Sequence, residues 1–253
     1  MAAEMPLLHI LKCARPVLFY NESEAFPYSV SGTAFFVNYY DRLFAITAKH
    51  ALMLREFNVQ QFRIQYRVDN QQMVPTEALY TFRRIDESDT DQYDVAAWEV
   101  ARHLIRDELF GLDRPYRLLD DGCETIMSDT SDYLYRGYPL AHREIDFEAR
   151  QYHLPSVSGA ADYLGSDETI ARIHRLRFRN LDPLHDLDGL SGAPVFQVTN
   201  AGGNYSTAAF AGMLLRGTRA SMTGYFLENR RILELLGDIV AGRVDDILHP
   251  PAL

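Results

Sequence analysis

The sequence predicts an all-β protein closed by a single C-terminal helix, and three observations predict it. Runs of aromatic and β-branched residues recur at short, regular intervals. Clusters of Asn, Asp, Gly and Pro separate them, and sustained helical periodicity is confined to one segment near the end of the chain. In chain order the expected strands are Pro16–Tyr20, Ala34–Tyr39 and Leu43–Thr47, the last two joined by a turn over Asn38–Asp41. Phe62–Val68 and Glu77–Phe82 follow, with a turn at Asp69–Gln71, and then Val95–Val100, Asp132–Tyr138 and Thr169–Leu176. Pro194–Thr199 and Ala208–Leu215 are the last pair, joined through Asn200–Asn204. Lys49–Glu56 and Arg102–Leu109 read as short helices. In Leu227–Val240, Ile232, Leu235, Leu236 and Ile239 recur at helical spacing, so this segment is the expected C-terminal helix. Asp107–Glu124, rich in Asp, Gly, Pro and Arg, reads as a linker between two β halves. Barrels or sandwiches fit this pattern.

Composition narrows the function classes. The 253 residues are 47% hydrophobic and 24% charged, enough for a substantial core. A formal net charge of −10 repels phosphate backbones, so nucleic acid is not an expected partner. The best basic cluster, Arg172-His174-Arg175-Arg177-Arg179, alternates like a solvated or salt-bridged strand face. Two cysteines, Cys13 and Cys123, are too few for a disulfide framework or a cysteine-based zinc site, and reduced structural thiols are expected. Glu4 stands where a signal peptide carries positive charge, and His9 interrupts the apolar stretch Leu7–Leu11. No apolar run approaches the length of a membrane span. The expectation is a cytoplasmic protein with no membrane partner.

Three residues carry chemistry. Ser191 lies in Asp188-Gly189-Leu190-Ser191-Gly192-Ala193-Pro194, where small residues surround a serine at a sharp turn before an apolar strand. Glycine there allows close backbone approach to a carbonyl, and such a turn can aim N–H groups at a developing oxyanion. His50 follows the apolar strand Phe44-Ala45-Ile46-Thr47, which would fix the backbone of a general base. Asp94 runs directly into Val95-Ala96-Ala97-Trp98, and a buried carboxylate there needs a partner such as an imidazole N–H. Singly, each has a bland reading: a Gly-Ser turn, a packed histidine, a turn cap. The order His, Asp, Ser makes them a set, because the order of triad members separates unrelated hydrolase folds.

On these residues the chain resembles a trypsin-like (chymotrypsin-fold) serine peptidase, of the cytoplasmic prokaryotic sort that lacks disulfides. The matching stretches are Gly32-Thr33-Ala34-Phe35-Phe36-Val37, Ile46-Thr47-Ala48-Lys49-His50, Asp94-Val95-Ala96 and Gly189-Leu190-Ser191-Gly192-Ala193-Pro194. Gly137-Tyr138-Pro139 and Gly212-Met213-Leu214 fit weaker features of the family. The resemblance implies two antiparallel β-barrels, one over about residues 1–110 and one over 125–226, followed by the helix at 227–241, with the active site between the barrels. It implies that Ser191 is the nucleophile, His50 the general base and Asp94 the residue that orients the imidazole. It further implies an oxyanion hole from the N–H groups of Gly189 and Ser191, and no metal or organic cofactor. Leu190 departs from the family, whose secreted members carry an aspartate there that pairs with a newly cleaved N-terminus. Control by a partner protein, an oligomer or loop ordering is expected instead. Similar stand-alone domains occur in bacterial stress and phage-defence systems, where the partner is a protein substrate.

Specificity stays open at this level. His185 is expected near the base of the primary pocket, and Leu215-Arg216-Gly217 as the edge strand that pairs with a peptide. Asp182, Asp186 and Asp188 would favour a basic side chain; His185 and Arg216 would favour an acidic one. A non-catalytic binding module on the same fold is the alternative function. An α/β-hydrolase reading would need an Asp and His after the serine, leaving only Asp238, Asp245 or Asp246 with His249. The run His185-Asp186-Leu187-Asp188 lacks a second ligand cluster, so no metal is expected. His142, His153, His174 and His249 read as surface or structural.

Overall fold

The computed structural model of the chain describes residues 6–21, 23, 27–52, 61–65, 73–82, 91–105, 115–118, 125, 127–146, 148, 151–179, 187–201 and 204–248. A 3-10 segment, Pro6–Cys13, leads into the first half. There β1 (Ala14–Tyr20), β2 (Tyr28–Tyr39), β3 (Arg42–Thr47), β4 (Phe62–Ile64), β5 (Thr76–Thr81), β6 (Ala96–Val100) and β7 (Tyr116–Leu118) form one curled sheet. Its order is β4-β1-β2-β3-β6-β5, with β7 joined to β2 in parallel. The second half is a closed antiparallel barrel in the order β11-β12-β15-β14-β13-β8. Its strands are β8 (Asp132–Gly137), β11 (Val157–Ser166), β12 (Ile173–Phe178), β13 (Pro194–Ala201), β14 (Asn204–Thr218) and β15 (Thr223–Glu228). A hairpin of β9 (Glu144–Asp146) and β10 (Gln151–His153) lies between β8 and β11. The α-helix α1, Asn229–Val240, follows β15 directly. The architecture is the all-β, two-barrel arrangement with a C-terminal helix that the sequence leads one to expect. No helix of the described residues is long and apolar enough to cross a membrane.

Among the described residues, side-chain alternation along the strands sorts the core into four regions, the smallest formed by Ala14, Leu18, Val30, Tyr138 and Leu154. Ala34 and Phe36 of β2 point into the first half with Leu43, Ala45, Leu79 and Trp98. Their neighbours Phe35, Val37 and Tyr39 point the other way, into a seam shared with Phe196, Phe210 and Leu227 of the second barrel. Tyr133, Tyr135, Leu176, Val195 and Phe226 fill that barrel's own interior. Both faces of β2 are therefore buried, which explains its unbroken apolar run. The helix lays Ile232, Leu235, Leu236 and Ile239 into the seam. After it the chain returns to the first half: Ile247 N–H donates to the Leu79 carbonyl, and Asp246 Oδ1 accepts the Leu79 N–H at 2.9 Å. The helix and its tail thus tie the two halves together.

The sequence reading misses β7, β9, β10, β11 and β15, and the physical reason is clearest for β11 and β15. Glycine and small residues weaken their strand signal, yet tertiary packing requires the glycines. A Cβ on Gly159 would run into the Tyr135 hydroxyl, which lies across it from β8, and a Cβ on Gly224 would run into the Phe178 ring. The described part of the expected linker Asp107–Glu124, residues 115–118, contains β7. The strand expected from Thr169 starts at Ile173, because Asp167 Oδ1 accepts the N–H groups of Thr169 and Ile170 and turns the chain there. The expected helices at Lys49–Glu56 and Arg102–Leu109 are single 3-10 turns, Lys49–Leu52 and Arg102–Leu104, with residues 53–56 and 106–109 outside the described set. The C-terminal helix begins at Asn229, since Leu227 and Glu228 belong to β15. The turn Asp69–Gln71 lies outside the described residues, as does Cys123. Cys13 is a free, buried thiol whose pKa burial pushes up to about 12, so it is unreactive near neutrality.

Leu236 is fully buried in the seam. Leu236→Ala should lower the unfolding free energy by about 2–5 kcal/mol, read from urea denaturation. An unchanged midpoint would place the helix outside the core.

Candidate active site

The loop around Ser191 is shaped by two glycines and one threonine. Gly189 (φ +93°) and Gly192 (φ +90°) both adopt the left-handed region that favours glycine. A Cβ on Gly192 would run into the carbonyl oxygen of Thr33, so the loop of the second barrel lies directly on β2 of the first. Thr33 holds it there. Its N–H donates to the Ser191 carbonyl at 2.9 Å, and its hydroxyl donates to the Gly189 carbonyl at 2.7 Å while accepting the Tyr138 N–H at 2.9 Å. Its own carbonyl accepts the Thr47 hydroxyl at 2.7 Å. The carbonyls of Gly189 and Ser191 are thus both drawn to Thr33. Among the described residues, the N–H groups of Gly189 and Ser191 have no internal hydrogen-bond partner.

His50 and Asp94 meet because their strands pair. Thr47, the last residue of β3, lies opposite Ala96, the first of β6. His50 stands three residues past Thr47 and Asp94 two before Ala96, so antiparallel pairing delivers both to one end of the sheet. Asp94 Oδ1 accepts the His50 main-chain N–H at 2.8 Å, and Oδ2 pairs with the ring Nδ1. This double contact fixes the backbone and the ring together. Burial lowers the imidazole pKa, but the Asp94 hydrogen bond and the charges of Asp94 and Asp91 outweigh burial and the opposing Arg216, and hold it above the ordinary histidine range. The His50 turn and the Ser191 loop converge on Gly32: a Cβ there would lie 3.1 Å from both the Ala51 Cβ and the Ser191 carbonyl oxygen.

The Ser191 hydroxyl donates to the Leu215 carbonyl at 2.6 Å rather than to His50. Leu215 sits on β14 just beyond Met213, the residue paired with the first residue of β13, so from Leu215 onward that edge of β14 has left β13. Beside Ser191 is a small pocket lined by Phe178, Leu187, Leu190, Leu214, Arg216 and Gly217. Leu190 is buried in the apolar cluster of the second barrel, an environment that would strand an ion. Arg216 reaches across to the first half: Nη1 lies 2.6 Å from Asp91 Oδ2, and the guanidinium lies over the Tyr225 ring, 4.8 Å from its centroid. Of the remaining expected pocket residues, Asp188 is exposed and its carbonyl accepts the Leu140 N–H, whereas Asp182, His185 and Asp186 lie outside the described residues. Among the described residues no group of three or more His, Cys, Asp or Glu converges as metal ligands would.

Sequence reasoning assigned no role to Thr33, Asp91 or Tyr225. Thr33 lay in plain view beside Gly32, but its function depends on a contact made across the whole chain. Asp91 carries no signal in the sequence beyond its place three residues before Asp94.

A search of solved structures finds similarity to the crystal structure of a scabies mite inactivated protease paralogue, S-D1. Identity is 14%, the match covers 93% of this chain and 94% of that one, and the TM-score is 0.56. At that identity the likeness shows the fold, a chymotrypsin-like pair of β-barrels. No protein-family model matches the chain. No curated protein sequence matches it either.

Two outcomes follow from this geometry. By NMR, His50 should titrate with a midpoint above the ordinary value of about 6.5. In Asp94→Asn the midpoint should fall, because the raising carboxylate is gone and the lowering effect of burial stays; an unchanged midpoint would contradict the pairing. Thr33→Val should cost about 1–3 kcal/mol in urea denaturation by leaving the Tyr138 N–H without its acceptor.

Proposed function

We propose that the chain is a serine endopeptidase acting through His50, Asp94 and Ser191. The observation that carries this reading is the double attachment of His50 to Asp94, at the same junction that holds the Ser191 loop. Ser191 Oγ leaves the Leu215 carbonyl by rotation about χ1 and attacks the scissile carbonyl. His50 Nε2 takes the hydroxyl proton and delivers it to the leaving amine. Asp94 keeps the proton on Nδ1 and stabilises the imidazolium that forms. The N–H groups of Gly189 and Ser191 receive the oxyanion; the carbonyls in the same peptide planes, those of Asp188 and Leu190, accept the Leu140 and Ala193 N–H groups, so they need no reorganisation during the reaction. Water, activated by His50, then releases the acyl group from Ser191. The open edge at Leu215, Arg216 and Gly217 pairs with the substrate main chain as an added strand.

The setting belongs to the same proposal: a cytoplasmic, disulfide-free enzyme of bacterial type that cuts a protein target, restrained by a partner or larger complex. Its support is the scarcity of cysteine and the apolar burial of Leu190. A second reading, a non-catalytic module on the same fold, draws on the Ser191 hydroxyl being bonded to Leu215 and on the description of the mite neighbour as inactivated.

A fluorophosphonate probe should label the wild-type protein and fail to label Ser191→Ala, and that substitution should lower peptide hydrolysis on the order of 10⁴–10⁶-fold. Absence of labelling, in isolation and with cell lysate added, would favour the binding module. Because the base must be neutral, kcat/KM should fall tenfold per pH unit below the raised His50 pKa. A flat profile from about pH 5 to 8 would remove His50 from the mechanism.

A further inference from the structure

The cleft contains two ion pairs of the same construction. Asp94 is 14% exposed and is covered by His50, which is 49% exposed. Asp91 is likewise 14% exposed and is covered by Arg216, which is 48% exposed. In each pair the anion lies inside and the cationic or polar partner faces solvent. A peptide entering the cleft therefore meets the guanidinium before it meets either carboxylate.

Arg216 is also held in place. Swinging it away would give up its ion pair with the largely buried Asp91 carboxylate and its stacking on the Tyr225 ring. Its Nη1 faces Asp91, and a guanidinium carries five N–H donors, so it keeps donors for a second acceptor. It sits one residue past Leu215, whose carbonyl holds the Ser191 hydroxyl, on the edge of β14 that has left β13. It also lines the pocket beside Ser191.

We propose that Arg216, fixed by Asp91 and Tyr225, is a specificity-determining residue that selects peptides presenting an acidic side chain to the open edge of β14. This rests on the peptidase reading and names its substrate class. A carboxylate at that point gains a charge-assisted hydrogen bond to a donor already oriented for it. A neutral amide gains an ordinary one, and a lysine is repelled. Arg216 thereby decides between the basic and acidic preferences that the sequence leaves open.

The test begins with a proteome-derived peptide library, from which the best-cleaved sequence is chosen. Matched peptides with Glu, Gln or Lys at each position near the cut are then compared, with fluorophosphonate labelling of the wild type as an independent readout of Ser191. At one position the wild type should cleave the Glu peptide about tenfold faster in kcat/KM than the Gln peptide, and added salt should shrink that ratio. The ratio should fall towards one in Arg216→Gln, survive in part in Arg216→Lys, and turn in favour of Lys in Arg216→Glu. A labelled wild type with no acidic preference would overturn the role of Arg216 and leave the peptidase reading standing. A uniform rise for all peptides in Arg216→Gln would also overturn it, making the ion pair a bar across the cleft. A wild type that does not label would contradict the peptidase reading and this inference with it.

Discussion

The site depends on a single buried residue, Thr33. It is fully buried, and each of its polar groups is engaged: N–H with the Ser191 carbonyl, hydroxyl with both the Gly189 carbonyl and the Tyr138 N–H, carbonyl with the Thr47 hydroxyl. In a low-dielectric interior a satisfied network of this kind specifies one arrangement, because any slip leaves a polar group without a partner. Thr33 belongs to the first half and the loop it shapes to the second. The close contact of Gly192 with Thr33, which leaves no room for a Cβ, goes with this attachment. Neither half contains the site alone. The seam core, the helix and the tail that returns to β5 keep the two halves at the separation the network needs.

The charges of the cleft follow a related rule. Two carboxylates are taken largely out of water beside one another, Asp91 opening the 3-10 turn and Asp94 following it. Each is tolerated because a cationic or hydrogen-bonding partner covers it. The consequence for His50 is a raised pKa; the consequence for Arg216 is a fixed orientation. The Ser191 hydroxyl, bonded to Leu215, waits outside this pair of contacts. In the proposed mechanism the protein is organised around the oxyanion before substrate arrives, and the remaining adjustment is one side-chain rotation.

Much of this was legible in the sequence where the signal is local. The strands ending at Thr47 and starting at Ala96 carry strong apolar runs, so His50 and Asp94 could be located at strand ends before their pairing was known. The Gly-rich turn at Ser191 announced itself in the same way. What escaped depends on contacts between distant segments. Gly159 and Gly224 look like strand breakers until Tyr135 and Phe178 are seen lying over them. Thr33 looks like an ordinary strand residue until the Ser191 loop is laid upon it. Arg216 carries opposite implications from those of nearby aspartates, and its place over the largely buried Asp91 is visible only in the folded chain.

The most direct measurement is a crystal structure of the protein with a peptidyl boronic acid. A covalent bond from Ser191 Oγ to boron is expected, with one boron-bound oxygen about 2.7–3.1 Å from the N–H groups of both Gly189 and Ser191. His50 should remain on Asp94, and the peptide should lie along Leu215 to Gly217. An empty cleft at saturating inhibitor, or an adduct at any residue other than Ser191, would contradict the proposed mechanism.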